Sequence, residues 1–233
     1  AMKENIRRYY QGDINIITNY ASPKPYMHDR DISLSISYDF DAREKSDLVF
    51  TNMIMCPVPI SILILASRKV IDMDVKSMVQ QLSMLSNIRS VEIKPYSTNQ
   101  ANQQDVTHKD FEDFVIKWLE MDLPFELENR HRIEDSITKY YDAFSNNHVY
   151  INPNGKFSVL EFDKDDNEYF LELNSFDEYR EWAKNEAKDN TSDICRNCEY
   201  YGHCLTEHYR YVTDLTNSCN GYKGLLEWAK IKY

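Results

Sequence analysis

Strand-period and helix-period segments alternate through the first 127 residues, and this rhythm most limits the folds open to the chain. Ile32-Ser33-Leu34-Ser35-Ile36-Ser37-Tyr38 alternates apolar and polar residues with period two, the mark of a strand. Pro59 to Ala66 is a near-continuous apolar run, which suits a strand covered on both faces. Asp74 takes the position of a helix N-cap. Val75, Met78, Val79, Leu82 and Leu85 follow at helical spacing, and Asn87 closes the segment. Val91 to Pro95 reads as a short strand, and the Asn- and Gln-rich stretch from Ser97 to Val106 has no period. Thr107 with Asp110 signals a capped helix lined by Phe111, Phe114, Val115, Trp118 and Leu119. Pro124 ends that helical unit, and Phe125-Glu126-Leu127 reads as one more strand. A βαβα order of this kind calls for parallel strands joined by crossover helices.

Beyond this point the character changes. Ile133 to Phe144 is amphipathic, and Ser145-Asn146-Asn147 breaks it. Val149-Tyr150-Ile151, the turn Asn152-Pro153-Asn154-Gly155 and Lys156 to Val159 spell a β-hairpin. Tyr169 to Leu173 adds a strand. Ser175 with Glu178 forms a capping box before a helix using Phe176, Tyr179 and Trp182. The expected organisation is an α/β domain over residues 1–135 and a small α+β domain over residues 136–233.

Charge and glycine content narrow the function classes. The chain carries 38 Asp and Glu against 27 Lys and Arg, a net charge of −11. A protein that neutralises phosphates needs a basic face, so the balance argues against nucleic acid, and it argues against an anionic membrane surface. Residues 161–193 alone hold 12 acidic and 4 basic residues, a net of −8. That run reads as a solvated acidic face, with recruitment of a basic partner or peptide as the functional alternative. The five glycines spell neither GxGxxG nor GxxxxGK[ST], so the common phosphate-cradling loops are missing. The first residues are polar and charged, and no apolar run is long enough to span a bilayer. A cytoplasmic setting is expected, where cysteines stay reduced or bind metal.

Four of the five cysteines, Cys195, Cys198, Cys204 and Cys219, have the spacing C-x2-C-x5-C-x14-C. A C-x2-C pair on a tight loop presents two thiolates to one centre. A third nearby and a fourth from a later segment complete an all-thiolate site. Residue type alone leaves a structural zinc and an iron–sulfur cluster both open.

The tail Cys195-Arg196-Asn197-Cys198-Glu199-Tyr200-Tyr201-Gly202-His203-Cys204, with Cys219-Asn220-Gly221-Tyr222-Lys223, resembles the end of a SPASM domain, the auxiliary-cluster module of radical SAM peptide- and protein-modifying enzymes. The resemblance covers residues 145–233. It implies one [4Fe–4S] cluster held by Cys195, Cys198, Cys204 and Cys219. The family's next cysteine, which serves a second cluster, is replaced by His208, and the hairpin before the motif has no cysteine either. Both losses fall on the same second cluster. More weakly, residues 60–97 resemble later βα units of the radical SAM partial barrel. The implied fold is therefore a partial (β/α) barrel-like parallel sheet followed by a small cysteine-rich SPASM-like module. The C-x3-C-x2-C motif for the S-adenosylmethionine-binding cluster occurs nowhere, so this chain alone is not expected to cleave S-adenosylmethionine. The implied partners are a peptide or protein substrate, or a radical SAM partner that supplies the missing cluster. The alternative is a zinc-stapled, non-catalytic interaction or scaffold protein.

Other chemistry-bearing residues read more plainly. Cys56 sits in the apolar, Met-rich segment Met53 to Pro57, a core setting. Met78, Met84 and Met121 read as core filler. No HExxH occurs. His203 and His208 flank Cys204 and are candidates to donate hydrogen bonds to sulfur. Asp165-Asp166, and Asp41 with Glu44, read as surface carboxylates. Tyr200, Tyr201, Tyr209, Tyr211 and Tyr222 are expected to cover the metal site and exclude water.

Overall fold

The computed structural model describes residues 2–95, 106–138, 150–162, 168–189, 193–204, 219 and 222–232. Residues 97–105, the end of the Ile133–Phe144 segment, His148, Asp165, Asp166, His208, Tyr209 and Tyr211 lie outside the described residues. The elements in chain order are α1 (Met2–Arg7), β1 (Ile14–Thr18), β2 (Ile32–Ser37), α2 (Ser46–Ile54), β3 (Ile60–Ala66), α3 (Arg68–Ile71), α4 (Val75–Leu82), β4 (Ile88–Pro95), α5 (His108–Leu119), β5 (Glu126–Leu127) and α6 (Glu128–Thr138). There follow β6 (Tyr150–Ile151), β7 (Phe157–Phe162), β8 (Glu168–Leu173), α7 (Phe176–Asp189), α8 (Asp193–Arg196) and α9 (Lys223–Lys232). The chain divides into two compact units, Ala1–Lys94 with Met121–Glu128 and Pro95–Glu120 with Asn129–Tyr233. The sequence-based boundary at residues 135/136 falls inside the second of these, and α5 belongs with the C-terminal part of the chain.

The first unit is α/β, with a five-stranded parallel sheet flanked by helices in the order β1-β2-β3-β4-β5. No closed barrel occurs among the described residues. Ser35 is in register with Ser61, and Ser90 with Glu126, which sorts the side chains onto two faces. One face carries Leu34, Ile36, Ile60, Ile62, Ile64, Val91 and Ile93, each 2% exposed or less. The other carries Ser35, Ser61 and Ser90, which are buried, with Leu63, Leu65, Glu92 and Lys94 half-buried and Asn15 and Ile17 exposed. Polar cross-strand contacts tie this second face together. Ser90 Oγ donates to Ser61 Oγ at 3.0 Å, and Ser35 Oγ to Asn15 Oδ1 at 3.1 Å. The apolar run of β3 is therefore fully covered on one face only, because Leu63 and Leu65 share the serine-rich face.

Local signals hold at several ends. Asp74 caps α4 by accepting the Ser77 N–H at 2.9 Å. The helix ends at Leu82, and Leu85 is buried beyond it. Asn87 does not close the helix. Its amide nitrogen donates to the carbonyls of Met53 (3.3 Å), Cys56 (2.9 Å) and Val58 (3.1 Å), which fastens the α2–β3 connection to the entry of β4. Among the elements not expected are β1, although Ile14-Asn15-Ile16-Ile17-Thr18 is rich in β-branched residues, and α2. β1 is a short edge strand, and α2 starts after Lys45 at φ +63° without a side-chain cap. Met78 is buried as expected, whereas Met84 is 68% exposed and fills no core.

In the second unit α5 opens with a complete capping box between Thr107 and Asp110 and packs against α9. α6 begins five residues before the expected Ile133, directly after β5. The hairpin turns at Gly155, whose φ of +81° suits a residue without Cβ, and Asn152 N–H closes it on Lys156 O at 2.8 Å. β6-β7-β8 form an antiparallel sheet. Val159, Leu173 and Tyr179 form its core with Phe157, Leu171 and Trp182. Ser175 Oγ accepts the Glu178 N–H at 3.2 Å, while Glu178 reaches the Asn174 N–H at 2.8 Å, so this capping box is offset by one residue. No described helix is long and apolar enough to cross a membrane.

Candidate metal centre

None of the five cysteines is in a disulfide. Cys195 lies in the single-turn helix α8, and the Cys198 N–H donates to Cys195 O at 3.0 Å, which folds the C-x2-C pair onto one turn. A second turn follows, with His203 and Cys204 N–H both directed at Tyr200 O (2.9 and 3.0 Å). Gly202, at φ +82°, lets the chain reverse there. Cys195 and Cys204 are each 9% exposed, whereas Cys198 and Cys219 are half-buried.

The later segment meets this loop at one defined point. The Tyr222 N–H donates to Cys204 Sγ at 3.4 Å in a buried setting. Tyr222 immediately precedes α9 and lies three residues after Cys219 in sequence, so this bond fastens the entry of α9 to the turn that carries Cys204. Lys223, the next residue, has its ammonium held above the ordinary value chiefly by Glu227, with Cys198 and Glu199 adding. Of the tyrosines around the cysteines, Tyr200 and Tyr222 are buried and Tyr201 is 40% exposed. Lys230 Nζ stands 4.2 Å from the Tyr200 ring centroid.

The donor chemistry fits a thiophilic metal: four reduced sulfurs, two of them buried, one already accepting a backbone N–H. The arrangement of the sulfurs falls short of one. Among the described residues no group of three or more His, Cys, Asp and Glu side chains is placed so that it could hold a metal ion. His203 does not serve a sulfur through Nδ1, which stands 3.0 Å from the Ser136 carbonyl oxygen and carries the proton there. Cys56 is buried at 6% exposure with its thiol 3.6 Å from Val58 O, in keeping with a core residue. It also neighbours Tyr20, whose phenol is pushed above its ordinary value first by burial and then by this thiol.

Glu112 is the residue that the sequence concealed. It projects from α5, is 7% exposed, and its carboxylate accepts the N–H groups of Gly224 and Leu225 (3.2 Å for the latter). These belong to the first turn of α9, where backbone donors lack intrahelical partners and the helix dipole favours negative charge. Burial raises the Glu112 pKa, and the two N–H groups pull it back. Gly224 permits the approach, because a Cβ there would stand 2.4 Å from Glu112 Oε2. The only sequence signals were a glutamate bordering the apolar face of α5 and a glycine inside the first turn of a helix. Compared with known proteins, the chain matches no family model and no curated protein.

Proposed function

We propose that the C-terminal unit is a cysteine-ligated metal-binding module of SPASM-like type, in which Cys195, Cys198, Cys204 and Cys219 hold one [4Fe–4S] cluster. On this reading the chain is a radical SAM/SPASM-like protein linked to peptide or protein modification, dependent on a further cluster for any cleavage of S-adenosylmethionine. The Tyr222 N–H to Cys204 Sγ bond carries the proposal. Backbone N–H groups directed at sulfur stabilise thiolates and tune clusters. This one joins the two segments that the C-x2-C-x5-C-x14-C spacing requires to meet. Metal would complete the convergence of the remaining sulfurs, since ligand sites of this kind gain their final geometry with the ion. The sequential strand order of the first unit supports the partial-barrel part of the reading. Crossovers of one hand between consecutive neighbours place their connecting helices on one face of a sheet, and only one face of this sheet is fully apolar.

Purification without air tests the reading. A brown protein absorbing near ~400 nm with iron and sulfide is the expected result, the signature of thiolate-bound iron. A colourless protein with one zinc per chain would replace the cluster by a structural staple, and a metal-free protein that binds neither would end the proposal. Cys198→Ser is expected to lower metal content and to expose residues 193–232 to protease while the first unit stays folded.

A further inference from the structure

Strand β8, Glu168-Tyr169-Phe170-Leu171-Glu172-Leu173, is an edge of the antiparallel sheet and pairs only with β7 among the described residues. Natural sheets blunt such edges with charged side chains, above all Lys, with Pro, bulges or very short strands, or by covering them. This one has six residues, an unbroken register with β7 and no Lys or Pro, and its charged residues are Glu168 and Glu172. Phe170 is 63% exposed and Tyr169 46% exposed, although the neighbouring Leu171 and Leu173 pack into the core. An edge that, among the described residues, is guarded only by carboxylates and bears exposed aromatics repels an acidic strand and can accept a basic one.

Charge selects which strand. Glutamates stand two positions to either side of Phe170, within a segment of net charge −8 over residues 161–193. Glu172 is held by Asn154 (2.6 Å) and Lys156 (3.2 Å), which lower its pKa and keep it ionised. A second copy pairing antiparallel about Phe170 would set each Glu168 opposite a Glu172, and like charges directly opposed destabilise a sheet. An incoming strand with basic residues two positions either side of an apolar one has the opposite, favourable match.

We infer that β8 is a docking edge for an extended basic segment of a partner protein, read as Lys/Arg-x-apolar-x-Lys/Arg. The inference is independent of the metal centre. The probe is a dye-labelled peptide containing Lys-Thr-Val-Thr-Lys, followed by fluorescence anisotropy with the full chain. Saturable binding is expected, weakened about tenfold or more, or about 1.4 kcal/mol, when Glu replaces both Lys, and weakened in 1 M salt as screening predicts. Phe170→Lys should weaken it by a similar factor with tryptophan emission unchanged. Hydrogen exchange of the unaltered protein should slow over residues 168–173 when peptide is added. Equal binding of the basic and acidic peptides, no binding, protection only elsewhere, or indifference to Phe170→Lys would each overturn the inference. Concentration-dependent dimerisation abolished by Phe170→Lys would overturn it in favour of a second copy.

Discussion

Gly224→Ala should destabilise the second unit, against the usual preference for alanine in helices. Replacing glycine by alanine in a helix returns up to about 1 kcal/mol. Here the added methyl would stand 2.4 Å from Glu112 Oε2, 3.0 Å from its Cδ and 3.2 Å from Oε1. The carboxylate is the end of a flexible side chain, so the steric part of the cost is small. Its withdrawal is the larger part, because the Gly224 and Leu225 N–H groups then lose a charged acceptor in a buried site. One hydrogen bond to a charged group is worth about 1.5–3 kcal/mol. The net loss is therefore about 1–2 kcal/mol. In a Glu112→Ala background no carboxylate is present to displace, so the sign should reverse to a gain of about 0.5–1 kcal/mol. The coupling between the two sites is then about 2 kcal/mol. Urea unfolding followed by tryptophan emission measures it directly, since all three tryptophans, Trp118, Trp182 and Trp228, lie in the second unit. A neutral or stabilising Gly224→Ala, or the same sign in both backgrounds, would refute the reasoning.

Further outcomes follow from the same contacts. Glu112→Gln should alter the pH dependence of the tryptophan-monitored transition. Because burial raises the Glu112 pKa above 4.5, its favourable proton uptake is fully present below 4.5 and lost as pH rises through the raised value. The stability of the wild type relative to Gln should thus increase on acidification, which denaturation across pH 4–7 checks. Asn87→Asp should cost the first unit about 2–3 kcal/mol and more than Asn87→Ala, because it aims a carboxylate oxygen at three carbonyls. Far-ultraviolet circular dichroism should show this loss in a transition that tryptophan emission does not report. Thr107→Ala removes the side-chain cap of α5 and the hydroxyl bond to Asp110, leaving the Thr107 N–H bond to Asp110 in place, and should lower second-unit stability by about 1 kcal/mol in the same urea assay.

Period and capping made most elements legible. Ile32 to Ser37, the Val75–Leu82 stripe behind Asp74, and the Thr107/Asp110 box all stand where local chemistry puts them. What stayed hidden depends on contacts distant in sequence. β1 is stabilised as an edge partner of β2, and α2 starts from a left-handed lysine with no cap to advertise it. Asn87 has the sequence signature of a helix stop, yet it is used as a clamp on three carbonyls. At the candidate centre the four cysteines were visible by spacing. Glu112 was not, because nothing local relates it to a glycine 112 positions later.

That distant pair bears on how the cysteine region is organised. The start of α9 is fixed by Glu112 and by the packing of α5 on α9, and neither involves sulfur. Tyr222, just ahead of α9, also rests against Phe111 of α5 at a ring separation of 5.3 Å. The N–H that meets Cys204 is thus positioned by the protein rather than by a metal. On the proposed reading, the ion then has only the remaining sulfurs to gather, and its binding energy is not needed to dock α9. Weakening the Glu112 lock should loosen the Cys219 side of the centre before the Cys195–Cys198 turn, whose closing bond is local to that turn.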